Sequence, residues 1–194
     1  MNENQAEIVG LLCAEGNYYD KRSSGWEYHC KRRKSYWRTN KRTVYIQFCN
    51  YNIQLLKWFQ YLVKEVYGFT PNKQWDRVRI CKRAIITDLL QYYKPGGLNW
   101  RVPKEVMDNK QLIPRFIRGY FEGDGCSSRD IRFSSINFSA LQQVQYLLTQ
   151  IQIDSNIQGP YISKNPYRKP NYLLRIKSKH KQLFFEIIKP FYRN

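Results

Sequence analysis

Apolar residues along this chain recur with two periods, and the switches between them mark its elements. Residues 6–16 (AEIVGLLCAEG) form an apolar run of helical length, with Gly10 and Ala14 four positions apart on one side. Residues 44–48 (VYIQF) alternate apolar with polar, as a half-buried strand does. The pattern then predicts a helix from about Asn52 to Val66, a turn over residues 68–72 and a strand pair around Trp75 to Cys81. Residues 82–93 predict another helix, ended by Lys94, Pro95, Gly96 and Gly97. Residues 95–103 (PGGLNWRVP) read as a linker, because Pro and Gly break the helices on both sides.

The second part of the chain repeats this order. Residues 115–125 (RFIRGYFEGDG) match residues 6–16, with Gly119 and Gly123 four apart and a carboxylate directly before a glycine in each copy: Glu15 before Gly16, Asp124 before Gly125. Residues 46–63 align without gaps to residues 131–148, pairing Ile46 with Ile131, Phe48 with Phe133 and Asn52 with Asn137. Residues 77–84 (RVRICKRA) resemble residues 173–180 (LLRIKSKH), and the helix after each ends at Lys94–Pro95 and Lys189–Pro190. The offset falls from 109 to 85, so the first half carries about 24 extra residues after its motif. It then rises to 96, which places a longer loop around residues 155–172. Each half reads as helix, two strands, helix, two strands, helix, giving an α+β protein of two αββαββα units: 1–94, a linker at 95–103, and 104–194.

Small residues at i and i+4 let another helix backbone approach closely. If the two motif helices pack through those faces, Glu15 and Asp124 arrive together at one end of the pair. Like charges there repel, and a divalent cation is one way to keep both ionised.

Composition then narrows the partners. The chain has 194 residues, 42% hydrophobic and 16% aromatic, enough for one good core or two small fused ones. Lys and Arg number 33 against 15 acids, a formal charge of +18, which points to a polyanion. Cys13, Cys30, Cys49, Cys81 and Cys126 show no CxxC spacing, and His29 and His180 no paired ligand spacing, so zinc and a disulfide framework are unfavoured and a reducing intracellular compartment fits. The start, MNENQAE, is unlike a signal or transit peptide, and no apolar stretch reaches membrane-spanning length. The initiating Met without splicing-like flanks suggests a standalone reading frame.

Strand alternation separates core from outward positions. Ile46, Phe48, Val78, Ile80, Ile131, Phe133, Leu174 and Ile176 face inward. Tyr45, Gln47, Arg77, Arg79, Cys81, Arg132, Arg175 and Lys177 face the other way, a set without acids and suited to base edges in a major groove. Lys31, Arg33, Arg38 and Arg42 in the first-half insertion, with Arg129, Lys164, Arg168 and Lys169 in the second half, would track phosphates.

The two motifs, IVGLLCAEG (Ile8 to Gly16) and IRGYFEGDG (Ile117 to Gly125), resemble the LAGLIDADG motif of homing endonucleases. The resemblance implies two saddle-shaped antiparallel sheets related by a pseudo-twofold and joined through the motif helices. It implies that Glu15 and Asp124, the penultimate residues of the two frames, bind Mg²⁺ (Mn²⁺ or Ca²⁺ could take the same sites), aided by neighbouring carbonyls such as those of Ala14 and Gly123. Glu122 is a weaker candidate, since it aligns with Cys13. Positions that orient water in the family fall on Asn50 and Ser135, and a later-strand lysine falls on Lys177, with Cys81 and the adjacent Lys82 in the first half. The implied activity is that of a monomer cutting both strands of a long asymmetric DNA target, leaving 3′ overhangs and promoting intron homing, in a prokaryotic cytoplasm or an organelle matrix. Host intron RNA is a second partner the resemblance allows, and an RNA maturase without nuclease activity is the alternative. A structural binder explained by charge alone leaves the paired acidic motifs without a reason.

Overall fold

Asparagine side chains start three of the helices. Asn2 accepts from the Gln5 N–H at 2.8 Å and Gln5 answers in a capping box at the start of α1 (Glu3–Glu15). Asn52 and Asn137, paired by the internal repeat, cap α2 (Ile53–Tyr67) and α6 (Phe138–Gln150). Between them lie β1 (Gly16–His29), β2 (Lys34–Cys49), β3 (Asn72–Lys73), β4 (Arg77–Ile80) and α3 (Arg83–Tyr92) of the first half. The second half adds α4 (Lys104–Asp108), α5 (Ile113–Asp124), β5 (Gly125–Cys126), β6 (Arg132–Ser135), β7 (Ser155–Tyr161), β8 (Asn171–Ile176) and α7 (Lys181–Ile188). This computed structural model describes residues 1–191.

The sheets have the same order, β1-β2-β4-β3 and β5-β6-β8-β7, with all neighbours antiparallel. Ile46, Phe48, Val78 and Ile80 line one inner face, and Ile131, Phe133, Leu174 and Ile176 the other, all buried as alternation required. The fold is therefore the duplicated α+β arrangement expected, with the two sheets joined through α1 and α5. These helices meet backbone to backbone. A Cβ on Gly10 would overlap the Phe116 carbonyl oxygen, and one on Gly119 would overlap that of Glu7. Residues 6–13 of α1 are all buried, because the helix packs against α5 on one side and its own half on the other.

One buried ion cluster ties the halves at the far end of that seam. Glu7 is fully buried, accepts from Trp58 Nε1 at 2.7 Å and pairs with Arg115 at 3.0 Å and Arg118 at 3.5 Å. Both arginines belong to α5; Arg115 also pairs with Glu3 at 3.4 Å, so removing the Glu7 carboxylate would chiefly leave the more buried Arg118 without its ion pair.

Two features depart from the sequence reading. Residues 155–161, expected within a loop, form strand β7, and only residues 162–170 loop out. The short helix α4 was not anticipated. The segment 95–103, read from sequence as the linker between the halves, is docked: Trp100 is 2% exposed, its carbonyl accepts from Asn137 Nδ2 at 3.0 Å, and the Val102 N–H donates to Gln143 Oε1 at 2.9 Å. No helix among the described residues is long and apolar enough to cross a membrane.

Candidate active site

Each motif helix ends as a strand begins, and that junction positions its acid. The Gly16 N–H closes α1 on the Leu12 carbonyl and the Gly125 N–H closes α5 on that of Phe121. The next residues enter β1 and β5, paired Gly16 to Phe48 and Gly125 to Phe133. Glu15 and Asp124 therefore sit where the two helices leave the seam. A Cβ on Gly123 would overlap that of Ala14 and stand 3.2 Å from Glu15 Cγ, so only glycine admits the neighbouring motif there. The last-turn carbonyls of Ala14 and Gly123 lie at this end, where a helix leaves its oxygens without helical partners.

Electrostatics report the crowding. Burial and then the Glu15 charge push the Asp124 carboxyl up to about 8, and burial raises that of Glu15 as well. No salt bridge to either acid occurs among the described residues. Two converging carboxylates, neither of them in a salt bridge, beside the last-turn carbonyl oxygens, form an all-oxygen donor set that fits a hard divalent ion. No three His, Cys, Asp or Glu side chains gather into a metal site among the described residues, so any coordination shell would need backbone, water or phosphate oxygens as well.

Each acid opens into its own compartment. Glu15 lines one of about 340 Å³ with Cys49, Asn50, Tyr51, Asp76 and Arg77. Asp124 lines one of about 250 Å³, walled by Cys13, Ala14, Ser134, Ser135 and Asn171, with Gly97 and Trp100 of the connector closing one side. Asn50 and Ser135 hold equivalent places. Asn50 Oδ1 accepts from the Asn52 N–H at 2.8 Å, and Ser135 Oγ accepts from the Asn137 N–H at 3.1 Å, so each builds the turn into the following helix. That bond leaves the Asn50 amide and the Ser135 hydroxyl proton able to donate. The hydroxyl of buried Tyr120 approaches both Ser135 and Asp124.

Lys82 and Lys177 are not brought to the acids. Both follow the far ends of their strands: Lys82 lies 5.6 Å from the Phe69 ring centre, and Lys177 pairs with Asp154 at 3.4 Å. A strand rises about 3.3 Å per residue, so the five positions from Tyr172 to Lys177 carry the latter well away. Glu122 lies outside both compartments, accepting from the Phe191 N–H at 2.5 Å, with burial pushing its carboxyl up to about 7.

The outward strand faces carry the expected cations in a changed electrostatic setting. Arg79 stacks over Tyr45 at 4.2 Å and donates to Gln47 at 3.3 Å, and Tyr45 stacks on Tyr19 at 4.9 Å. Gln47 is only 6% exposed beneath this stack. The outward sets hold no acid of their own, yet neighbouring segments supply several. Asp130 pairs with Arg132 at 3.6 Å and Arg175 at 3.3 Å, Asp20 with Arg42 at 2.7 Å, Glu27 with Arg38 at 3.0 Å, and Asp76 with Arg77 at 2.5 Å. Lys31, Arg33, Arg129, Lys164, Arg168 and Lys169 are exposed in turns and loops. Sequence reading missed Asp76, Trp100 and Asn171 as compartment walls. A signal existed for Asp76 alone, which immediately precedes an outward arginine.

Comparisons with known proteins agree with this fold. A family model described as a LAGLIDADG-like domain matches residues 112–189. A DNA polymerase of Thermococcus kodakarensis is 25% identical over 192 residues, covering 95% of this chain but only 11% of the polymerase. The homing endonuclease I-DmoI in complex with DNA and Mn shares the fold at a TM-score of 0.65 and 14% identity, over 96% of each chain. An I-DmoI variant with its target DNA and Mg gives 0.67 and 17% identity, over 98% of this chain and 100% of that one. Meganuclease I-SmaMI bound to uncleavable DNA gives 0.57 and 12%, over 100% of this chain and 87% of that one.

Proposed function

We propose that this chain, whose two halves carry the LAGLIDADG fold, is a metal-dependent, site-specific DNA endonuclease. One observation carries the reading: Glu15 and Asp124 converge at the end of a glycine-tight seam, between two sheets whose outward faces present Gln47, Arg79, Arg132 and Arg175. Two acid compartments, one per half, suit one phosphodiester in each strand. The finer reading is therefore a double-strand cut in a long asymmetric site, with 3′ overhangs, by a monomer that promotes homing of its own coding element.

Glu15 and Asp124, with the Ala14 and Gly123 carbonyls, would hold Mg²⁺, and Mn²⁺ or Ca²⁺ suit the same oxygen donors. When bound, the metal neutralises phosphate charge, lowers the pKa of water and steadies the leaving oxygen. The chain's own groups do the rest. Asn50 and Ser135, each in the wall of one compartment, would help to orient water there. The exposed cations of the arm and of loop 162–170 fix the duplex by its phosphates. The stacked Tyr45–Arg79 pair presents a guanidinium already ordered for a base edge.

The test is to incubate the protein and Mg²⁺ with a randomised duplex library and sequence the cut ends. The expected outcome is one family of sites cut in both strands at a fixed stagger, with cleavage abolished by chelator. Glu15→Gln and Asp124→Asn should each slow cutting by about 100-fold or more. Wild-type rates in both variants would defeat the reading.

A second reading, an intron RNA-binding splicing factor, draws on the exposed aromatic pair Trp26 and Trp37, of the kind on which unpaired bases stack. It is favoured if RNA is retained and no duplex is cut.

A further inference from the structure

The two compartments occupy equivalent places in the repeat but differ in their charged side chains, and the difference lies at two adjacent positions where a strand begins. Cys49 pairs with Arg77 in the first sheet and Ser134 with Leu173 in the second, so Arg77 and Leu173 are counterparts. One residue earlier, Asp76 corresponds to Tyr172, since Asp76 lies across from Asn50, whose N–H it accepts at 3.0 Å, while Tyr172 pairs with Ser135. The Glu15 compartment thus contains a guanidinium and a second carboxylate, whereas the Asp124 compartment is lined by no cationic side chain.

Arg77 is ordered for a task at this wall. Asp76 receives its Nε–H at 2.8 Å and one Nη2–H at 2.5 Å, the two-point geometry that fixes a guanidinium plane. A guanidinium has five N–H donors, so three, on the edge away from Asp76, have no partner among the described residues. The anion matching a fixed planar fork beside a metal-holding carboxylate is a phosphate of the nucleic-acid backbone. The nearby Glu15 charge would otherwise repel that phosphate.

Resting on the nuclease reading above, the geometry points to Arg77 as a catalytic residue of one strand only. It donates to the scissile phosphate in the Glu15 compartment, with Asp76 as its positioning residue, so that the strand entering this compartment is cut first. The free donors are aimed before substrate arrives, and their stabilisation grows as charge builds on the phosphate oxygens. The Asp124 compartment, with Leu173 in the matching place, lacks this help.

The experiment is strand-resolved, single-turnover cleavage of a duplex that the wild-type protein selects, with a different label on each strand. Wild type should pass through a nicked intermediate broken in one strand. Arg77→Leu should slow that strand by about 100-fold and the other by less than about twofold, reversing the polarity of the nicked species. Leu173→Arg should speed the other strand. Asp76→Asn should slow the same strand as Arg77→Leu, by a smaller factor that vanishes when Arg77 is already Leu. Equal melting temperatures check that the variants fold. Equal slowing of both strands, or no slowing, overturns the assignment and leaves the nuclease reading intact. Absence of any cleavage by wild type removes both.

Discussion

The two halves are built to one plan but part company directly after the motif. In the first, β1 and β2 pair from Gly16–Phe48 out to His29–Lys34, while in the second β5 and β6 pair only at Gly125–Phe133 and Cys126–Arg132. Strand β4 pairs only with Ile46 to Cys49 of the long hairpin, so most of it projects as a two-stranded arm without a core beneath. A cross-strand pair, Trp26 and Trp37 at 5.8 Å, braces that arm, and ion pairs from Asp20 and Glu27 lace it. The difference separates two kinds of constraint. Positions at the seam are set by backbone contact and admit no change, whereas the strand beyond the last core residue is free to lengthen into a reach for its partner.

The largest expected break in that comparison is at the glycines. Gly119→Val would drive side-chain atoms into the Glu7 carbonyl and should cost more than about 3 kcal/mol or abolish folding. Gly25→Val in the arm meets nothing within 4 Å and should shift stability by less than about 0.5 kcal/mol. Thermal unfolding of both variants checks the contrast, and equal losses would deny that the seam is special.

Next comes the acid pair. The folded protein raises the Asp124 carboxyl from 3.8 to about 8, so it holds a proton that the unfolded chain releases. Stability from this group is full below about pH 4 and is lost as pH rises through 8. In chelator, Asp124→Asn should therefore stabilise the protein at pH 8, on the order of a few kcal/mol, and flatten its dependence between pH 5 and 8. Glu15→Gln should act in the same direction but less. Melting curves at the two pH values decide, and an unchanged pH slope in Asp124→Asn would sink the claim.

A smaller effect distinguishes the equivalent helix caps. Losing an N-cap costs about 1 kcal/mol. Asn137→Ala should cost roughly 2–3 kcal/mol, because the same side chain donates to the Trp100 carbonyl and pins the connector against the Asp124 compartment. Asn52→Ala, which loses a cap shared by the Gln54 and Leu55 N–H groups, should cost at least the single-cap figure. Denaturant titration of both variants compares them.

The finest distinction concerns the cations. Lys31→Ala and Arg33→Ala, at the arm's exposed turn, should weaken duplex binding without regard to sequence, each reducing the log–log salt slope by about 1. Arg38→Ala and Arg42→Ala should change it less, since Glu27 and Asp20 already neutralise those charges. Binding isotherms at several salt concentrations measure each slope.

Much of this architecture was legible in the chain alone. Alternation in residues 44–48 and 131–133 separated core from outward faces, because every other side chain in a strand shares a side. Paired small residues in the two motifs foretold which helices would touch. Loop 155–172 was misread because residues 155–161 lack the apolar alternation of a buried strand: β7 is an edge strand, exposed over most of its length. The lysines misled for another reason. Lys82 and Lys177 were placed by resemblance, and the strands carry them to the end of the sheet away from the acids.

Sequence by itself determined the duplication and the seam, which depend on local spacing and on residue size, and it singled out Glu15 and Asp124 as the acids that end that seam. Only the folded chain decided what stands beside each acid. The walls of the compartments come from segments far apart in sequence: Asp76 and Arg77 meet Glu15 through strand register, and Gly97 and Trp100 meet Asp124 through a docked connector. Periodicity tells which way a side chain points, but long-range pairing determines which neighbour it finds, and the inequivalence of the two compartments is a matter of neighbours.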